Sequence, residues 1–158
     1  MELPEGISLA VEGSKLTAKG PKGEVTKNIS KRAQVKLDGN KVEVKAHKAL
    51  KGTIESIIES MIEGVKEGHT KKLKVLYAHF PVSIEVKGKD ITVKNFLGER
   101  EPRRTRLVGN TKVEVKGQSI TVSGPDKEAV GQTAANLIEV VKIKEKDGRI
   151  FQDGIYGE

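Results

Sequence analysis

Cysteine is absent from the 158-residue sequence, and aromatic residues make up only 3% of it. Without cysteine the chain has no disulfide, no thiol nucleophile, and no Cys-ligated zinc or iron–sulfur cluster. With so few aromatic rings, the core must be built from Val, Ile, Leu and Ala. The sequence also lacks any uncharged apolar run of about 18 residues, the length needed to cross a bilayer. Since the acidic segment Met1–Glu5 does not resemble a signal peptide, we expect a cytoplasmic protein without a membrane partner.

What the sequence has in excess is positive charge. Its 29 Lys and Arg residues outnumber its 22 Asp and Glu residues, which gives a net charge of +7. The length permits one mid-sized domain or two small ones.

A short pattern, apolar-x-Gly-x-x-apolar, occurs four times, around Gly13, Gly39, Gly88 and Gly117. Apolar and polar residues alternate on both sides of each glycine, which is typical of half-buried strands. Glycine provides the positive φ that a tight hairpin turn needs. The sequence therefore predicts four β-hairpins, and oppositely charged residues would face each other across three of the turns. Those pairs are Glu12 with Lys15, Asp38 with Lys41, and Lys87 with Asp90.

The spacing of these hairpins indicates an internal duplication, since Gly88 follows Gly13, and Gly117 follows Gly39, at nearly equal distances. Each copy continues into a stretch with helical periodicity, from Leu50 to Val65 and from Val130 to Val141. We predict an α+β fold of two tandem duplicated domains, each an antiparallel sheet with one helix packed on one face. The predicted domains are residues 1–79 and 80–158. The alternating run Lys71–Tyr77 is expected to close the first domain. The segment Ser123–Asp126 is expected to start the second helix, with Ser123 or Gly124 as its cap and Pro125 in its first turn.

The candidates for catalysis are poor. The three histidines, His47, His69 and His79, lack metal-ligand spacing, so we predict no catalytic residue, no metal and no cofactor. The segment Gly20–Gly23 lacks the Gly-Lys-Ser/Thr ending of a phosphate-binding loop and indicates a turn between strands. Three glutamates four residues apart lie opposite the apolar stripe of the first helix and are expected to face solvent. They are Glu55, Glu59 and Glu63.

Two basic clusters are more informative. Four of the six arginines lie close together around Pro102, which would stiffen a loop, and the planar guanidinium fork suits phosphate oxygens. These are Arg100, Arg103, Arg104 and Arg106. The second cluster leads out of the last helix toward Phe151 and Tyr156. It contains Lys142, Lys144, Lys146 and Arg149. For each cluster the alternative is a loop that only adds solubility, and we favour the phosphate-binding interpretation.

The second helix has a small, nearly uncharged outer face, whereas the first helix carries glutamates there. The N-terminus of the second helix at Pro125–Lys127 could meet a phosphate. If the partner is nucleic acid, the second half has no aromatic platform for stacking single-stranded bases. Lys and Arg loops without base readers fit folded RNA recognised by its shape and backbone.

Four segments carry a family resemblance: Ala49–Gly68, Asn95–Arg100, Gly124–Ala135 and Asp147–Tyr156. The last contains the pattern Arg-x-Phe-x-Asp-Gly-Ile-Tyr. Together they resemble the large-subunit ribosomal protein L-six family, in its archaeal and eukaryotic branch, over essentially the whole chain. Family tails usually continue past the tyrosine with an apolar and a basic residue, a pattern from which Gly157-Glu158 departs.

The resemblance implies a non-enzymatic, structural protein of the cytoplasmic ribosome, with no small-molecule substrate. Its partners would be large-subunit rRNA and neighbouring large-subunit ribosomal proteins. The second domain would bind rRNA near the sarcin–ricin loop and the translation-factor site, while the first braces it against the subunit. By position, the rRNA-binding residues implied are Arg100, Arg103, Arg104, Arg106, Lys127, Gln132, Lys142, Lys144, Lys146, Arg149, Phe151 and Tyr156.

Two other functions remain open at this point. A basic adaptor could use the same surface on acidic proteins, in which case folded RNA would not displace its partner. A small hydrolase could use His79 with a carboxylate, which would require a concave pocket around that histidine.

Overall fold

The computed structural model describes residues 3–158, which form twelve β-strands and two α-helices. This arrangement confirms the α+β class. The residues divide into two compact units. The first unit contains residues up to His69 together with Pro125–Lys127, and the second contains Thr70–Gly124 and Glu128–Glu158. The predicted division between residues 79 and 80 stays a prediction.

The first unit consists of a three-stranded sheet, a separate hairpin and one helix. The sheet has the order β1 (Ser8–Glu12), β2 (Lys15–Gly20), β3 (Gly23–Asn28). The hairpin joins β4 (Gln34–Asp38) to β5 (Lys41–Lys45), and α1 spans Lys48–Lys66. The predicted stripe of α1 is confirmed, since Ile54, Ile58, Met61 and Val65 are buried with strand residues such as Leu16. The turn predicted at Gly20–Gly23 joins β2 to β3.

The second unit has two sheets and one helix. One sheet has the order β7 (Ser83–Lys87), β8 (Asp90–Lys94), β9 (Arg103–Arg106). The other has the order β10 (Lys112–Lys116), β11 (Ser119–Gly124), β6 (His69–Leu76), β12 (Gly154–Gly157). Helix α2 spans Lys127–Val140, and a short 3-10 helix spans Phe96–Gly98. Side chains from β6, β8, β11, α2 and β12 share one apolar core. No helix among residues 3–158 is long and apolar enough to span a bilayer.

All four predicted hairpins are confirmed, and the predicted charge pairs face each other across three of the turns. The turn glycines Gly13, Gly39, Gly88 and Gly117 have φ of 61°, 59°, 61° and 60°. The residue after each glycine does not have a positive φ. A positive φ at the first central position alone is typical of the type II′ turn, whose twist matches that of antiparallel strands.

Three expectations about secondary structure were wrong. Lys71–Tyr77 does contain a strand, but β6 lies between β11 and β12 in the second unit, where Leu73 and Val75 enter the core with Ile155. The arginine cluster is not wholly a loop, because its last four residues form β9, whose polar sequence concealed the strand period. Helix α2 begins at Lys127, after both Gly124 and Pro125, so Ser123 and Gly124 belong to β11.

Candidate nucleic-acid interface

The face of the β7–β8–β9 sheet that points away from the core is rich in positive charge. Alternation along the strands puts Ile84, Val86, Ile91 and Val93 toward the core and the intervening residues on the opposite face. We call this opposite face the basic sheet face. It carries four basic against two acidic residues, and consists of Ser83, Glu85, Lys87, Asp90, Thr92, Lys94, Arg104 and Arg106.

Ion pairs occupy part of the basic sheet face. Lys94 Nζ lies 2.7 Å from Glu85 Oε1, and this hydrogen bond lowers the pKa of the Glu85 carboxyl group. Arg106 Nε lies 3.2 Å from Asp90 Oδ1, in a pair that is largely exposed. Arg104, which is opposite Thr92 in the register, makes no ion pair with any residue between 3 and 158. Arg104 is therefore the guanidinium on this face that no carboxylate of residues 3–158 neutralises, and Arg106 is exposed beside a single carboxylate.

Arg103 lies on the other side of β9 and is fully engaged within the second unit. Its Nε and Nη2 atoms donate to the Glu99 carboxylate at 2.8 and 2.6 Å, and Nη1 donates to the carbonyl oxygens of Val140 and Lys142 at 2.9 and 3.3 Å. The guanidinium carbon also lies 4.7 Å from the centre of the buried Phe96 ring. The hydrogen bond between the two side chains raises the pKa of Arg103 and lowers that of Glu99.

The second basic cluster follows α2 directly. We call residues 142–152 the basic segment. Lys142, Lys144, Lys146 and Arg149 are all exposed there. Arg103, Lys142, Lys144 and Lys146 line one cleft of about 440 Å³. The structure thus brings Arg103 together with the lysines of the basic segment and separates it from Arg104 and Arg106.

An aromatic stack lies at the far end of the basic segment. The Phe151 and His79 rings are stacked, with centroids 4.9 Å apart and planes 22° apart. Lys146 Nζ lies 4.6 Å from the centroid of the Phe151 ring. The Phe151 ring therefore makes its contacts within the chain, with His79 and Lys146.

Asp153 fixes this stack to the preceding chain. Its carboxylate accepts a hydrogen bond of 2.9 Å from His79 Nδ1 and longer ones from the backbone N–H groups of Ala78 and His79. The side chain of Asp153 is fully buried. Burial alone would raise the pKa of Asp153, but these hydrogen bonds stabilise the carboxylate and hold its pKa below the usual value.

The remaining predicted site residues lie at several places. Arg100 is exposed just before β9, and Lys127 is exposed in the first turn of α2. Gln132 donates from Nε2 to Asn136 Oδ1 along the helix. Tyr156, 45% exposed, donates its hydroxyl hydrogen to the Gln152 carbonyl oxygen.

The corresponding sheet face of the first unit differs in charge. Residue Ala10 pairs with Thr17, which pairs with Thr26, so its middle row is uncharged. The two threonine hydroxyl groups lie 3.3 Å apart and can hydrogen-bond to each other. Over the whole face the basic residues, Lys15 and Lys19, are matched by Glu12 and Glu24. The two copies share the central threonine of this row, Thr17 and Thr92, and have diverged on either side of it, where the second copy carries Glu85 and Arg104.

Comparison with known proteins identifies the duplication. The family model described as "Ribosomal protein L6" matches residues 3–68 and again residues 80–154. The chain belongs to the ribosomal protein L6 family. The two matches confirm the predicted tandem repeat and the resemblance noted from the sequence.

Relatives named large ribosomal subunit protein uL6 extend this result to the archaeal branch. That of Archaeoglobus fulgidus is 47% identical over 99% of this chain and 86% of the relative. That of Methanosphaera stadtmanae is 46% identical over 98% and 88%, and that of Saccharolobus solfataricus is 43% identical over 99% and 91%. The chain is thus an archaeal-type L6 protein, a structural component of the cytoplasmic ribosome.

L6 family membership also settles the question of catalysis. The family is structural and non-enzymatic, so the hydrolase alternative is wrong. His79 does contact a carboxylate, but Asp153 is buried and links two chain segments 74 residues apart. Among residues 3–158 no group of His, Asp and Glu side chains could hold a metal ion.

Sequence reasoning did not assign three residues to this interface, Glu99, His79 and Asp153, and it considered His79 only as a candidate for catalysis. Glu99 lies four residues before Arg103, but on a turn and strand rather than a helix, so the spacing gave no signal. His79 and Asp153 are remote in sequence, and only the antiparallel pairing of β12 with β6 brings their neighbourhoods together.

Proposed function

We propose that this L6-family protein binds large-subunit rRNA through the basic surfaces of its second unit, near the sarcin–ricin loop and the translation-factor site. The binding residues are Arg104 and Arg106 on the basic sheet face and Lys142, Lys144, Lys146 and Arg149 in the basic segment. Arg100, Lys127 and Gln132 are exposed and remain candidates. Arg103, Phe151 and Tyr156 have contacts within the protein and are assigned a supporting role.

The observation that carries the proposal is the divergence of the duplicated sheets. Both copies retain a three-stranded antiparallel sheet and a second hairpin with the same turn glycines, so these parts of their cores need the same residue types. Only the second copy has an excess of basic residues on the outer face of its three-stranded sheet. Because the shared fold does not require this extra positive charge, we attribute it to binding a polyanionic partner.

The geometry favours folded RNA over unpaired bases. The exposed groups are guanidinium and ammonium ions, which bind phosphates, and the rings of Phe151 and His79 are stacked on each other. The first unit, with its balanced sheet face and the acidic outer side of α1, is assigned to packing against neighbouring large-subunit ribosomal proteins.

The proposal is tested by titrating full-length protein with a transcribed large-subunit rRNA fragment that contains the sarcin–ricin loop, at several salt concentrations. Replacing Lys142, Lys144, Lys146 and Arg149 by alanine should lower the slope of log K against log[salt] by about 3, because each lost phosphate contact removes about 0.7–0.9. The matched control replaces four exposed lysines of the first unit, Lys15, Lys36, Lys41 and Lys45, and should change the slope little.

Equal losses of slope in both quadruple variants would contradict the assignment to the second unit. Crosslinked adducts mapped on intact large-subunit RNA should fall near the sarcin–ricin loop, and adducts elsewhere would refute the location. Failure of the RNA to displace a bound acidic protein would favour the adaptor instead.

A further inference from the structure

Both ends of the basic segment are held by side chains whose hydrogen-bonding groups are already used within the protein. We propose that Arg103 at one end, and Asp153 with His79 at the other, are positioning residues that preorganise the basic segment for RNA. This inference rests on the proposed function, since it concerns how the same surface achieves its affinity.

At the first end, Arg103 satisfies the backbone where α2 terminates. The last carbonyl groups of a helix have no intrahelical partner. Arg103 Nη1 donates to two carbonyl oxygens in this region, those of Val140 and Lys142, and so fixes the direction in which the chain leaves the helix. Glu99 and the Phe96 ring hold the guanidinium from its other sides. Every guanidinium nitrogen is thereby used, which leaves no fork for a phosphate.

At the second end, Asp153 binds the residues that follow β6, Ala78 and His79. Its carboxylate gathers the His79 ring and two backbone N–H groups, and the His79 ring in turn stacks on Phe151. Since Asp153 directly precedes β12, this contact also sets where the basic segment ends.

Between these ends the chain folds on itself. The backbone N–H groups of Ile150 and Phe151 donate to the Asp147 carbonyl oxygen at 3.1 and 2.9 Å, and Arg149 N–H donates to Asp147 Oδ1 at 3.0 Å. Arg149 itself is 93% exposed and Lys146 lies against Phe151. The cations are therefore held on an ordered loop while their charged ends remain accessible.

Holding the basic segment in place lowers the conformational entropy that is lost when it binds RNA. A loose segment loses conformational freedom when it binds, and a segment already held in its bound conformation does not. Releasing either end should weaken RNA binding without removing a phosphate contact. In a salt titration, such a variant should shift the plot of log K against log[salt] downward without changing its slope. Loss of a phosphate contact changes the slope.

The decisive comparison uses neighbouring arginines. The double variant E99Q/R103Q removes one charge of each sign and leaves the net charge unchanged. It should bind the rRNA fragment roughly tenfold more weakly at every salt concentration, with the wild-type slope. The matched variant R104Q, one residue further, should instead lower the slope by about 0.7–0.9. R103K keeps the charge but not the planar fork, and should bind as weakly as the double variant.

The other end is tested by H79A and D153N. D153N removes a negative charge beside a polyanion site, so electrostatics alone would tighten binding, whereas loss of the anchor should weaken it severalfold. H79A should weaken binding in the same way. Amide hydrogen exchange of full-length variants should accelerate within residues 144–152, and thermal unfolding verifies that the measurements are made on folded protein.

Several results would overturn the inference. A reduced slope in E99Q/R103Q, or full affinity in R103K, would make Arg103 a phosphate ligand. Wild-type affinity in D153N and H79A with faster exchange in the basic segment would show that preorganisation contributes nothing. Failure of the proposed function would give a different result. The wild-type protein would then not bind the rRNA fragment at all, and neither would the quadruple basic-segment variant.

Discussion

Arg103 and Arg104 are adjacent in the sequence and lie on opposite faces of the same strand. Arg103 contacts Glu99, the end of α2 and the Phe96 ring, whereas Arg104 lies opposite Thr92 on the basic sheet face. The two-residue period of a strand is sufficient to give neighbouring, chemically identical side chains different tasks.

The first prediction follows from this difference and concerns stability. Arg103→Ala should lower the free energy of unfolding by about 1–3 kcal/mol, because it leaves the partly buried Val140 carbonyl and the Glu99 carboxylate without their donor. Arg104→Ala should change it by less than about 0.5 kcal/mol, as is usual for exposed sites. Urea denaturation of the two variants measures this, and equal destabilisation would contradict the assigned contacts.

A second prediction uses two glycines with equal space around them. A Cβ atom at Gly88 or at Gly52 would meet no atom within 4 Å, but only Gly88 has a positive φ, of 61°. Gly88→Ala should destabilise by about 1–2 kcal/mol through backbone strain. Gly52→Ala, inside α1, should stabilise by about 0.5–1 kcal/mol through helix propensity. Thermal unfolding should thus shift in opposite directions, and shifts of the same sign would be incompatible with the turn geometry.

A third prediction concerns Thr133, which is fully buried in α2. Its hydroxyl accepts from the Val108 N–H at 3.1 Å and lies 3.2 Å from the Thr111 hydroxyl. Thr133→Val keeps the shape but leaves the Val108 N–H without an acceptor, which should cost about 1–3 kcal/mol. Thr133→Ser retains the oxygen and should lose less. Chemical denaturation compares the two, and a valine variant as stable as wild type would show that the bond is dispensable.

The fourth prediction is a pH dependence centred on Asp153. Its folded-state pKa is depressed, because hydrogen bonds from His79 and Ala78 outweigh the effect of burial. The stabilisation it provides is therefore complete above the ordinary Asp pKa of about 3.9 and is lost as the pH falls through the folded value. The difference in unfolding temperature between wild type and D153N should be constant near neutral pH and shrink below about pH 4. A difference that persists unchanged at low pH would exclude the carboxylate as its source.

The hairpins and helices could be predicted because their signals are local. Turn glycines such as Gly88 and apolar spacings such as that around Ile58 are set within a few residues, and both were confirmed. Strand β9 could not be predicted, since Arg103–Arg106 contains no apolar residue to show a period. The position of β6 depends on pairing with strands far along the chain, which periodicity does not encode.

The candidate interface could also be predicted only in part. Composition identified the basic clusters, since charge density is visible without a structure. It could not distinguish Arg103 from Arg104, because that requires knowing which residues of β9 face α2. Asp153 belongs to the sequence pattern of the last segment, but the sequence did not show that its carboxylate binds Ala78 and His79, 75 and 74 residues earlier in the chain.

The placement of β6 has a practical consequence for dissecting this protein. Strand β12 lies at the edge of its sheet and pairs with β6. Asp153 accepts hydrogen bonds from Ala78 and His79, which follow β6 in the chain. A fragment that starts at residue 80 would lack all three and would leave Ile155 without Val75 beside it. Truncation studies of the second unit should therefore begin upstream of His69, because a shorter fragment would expose unpaired strand edges and self-associate.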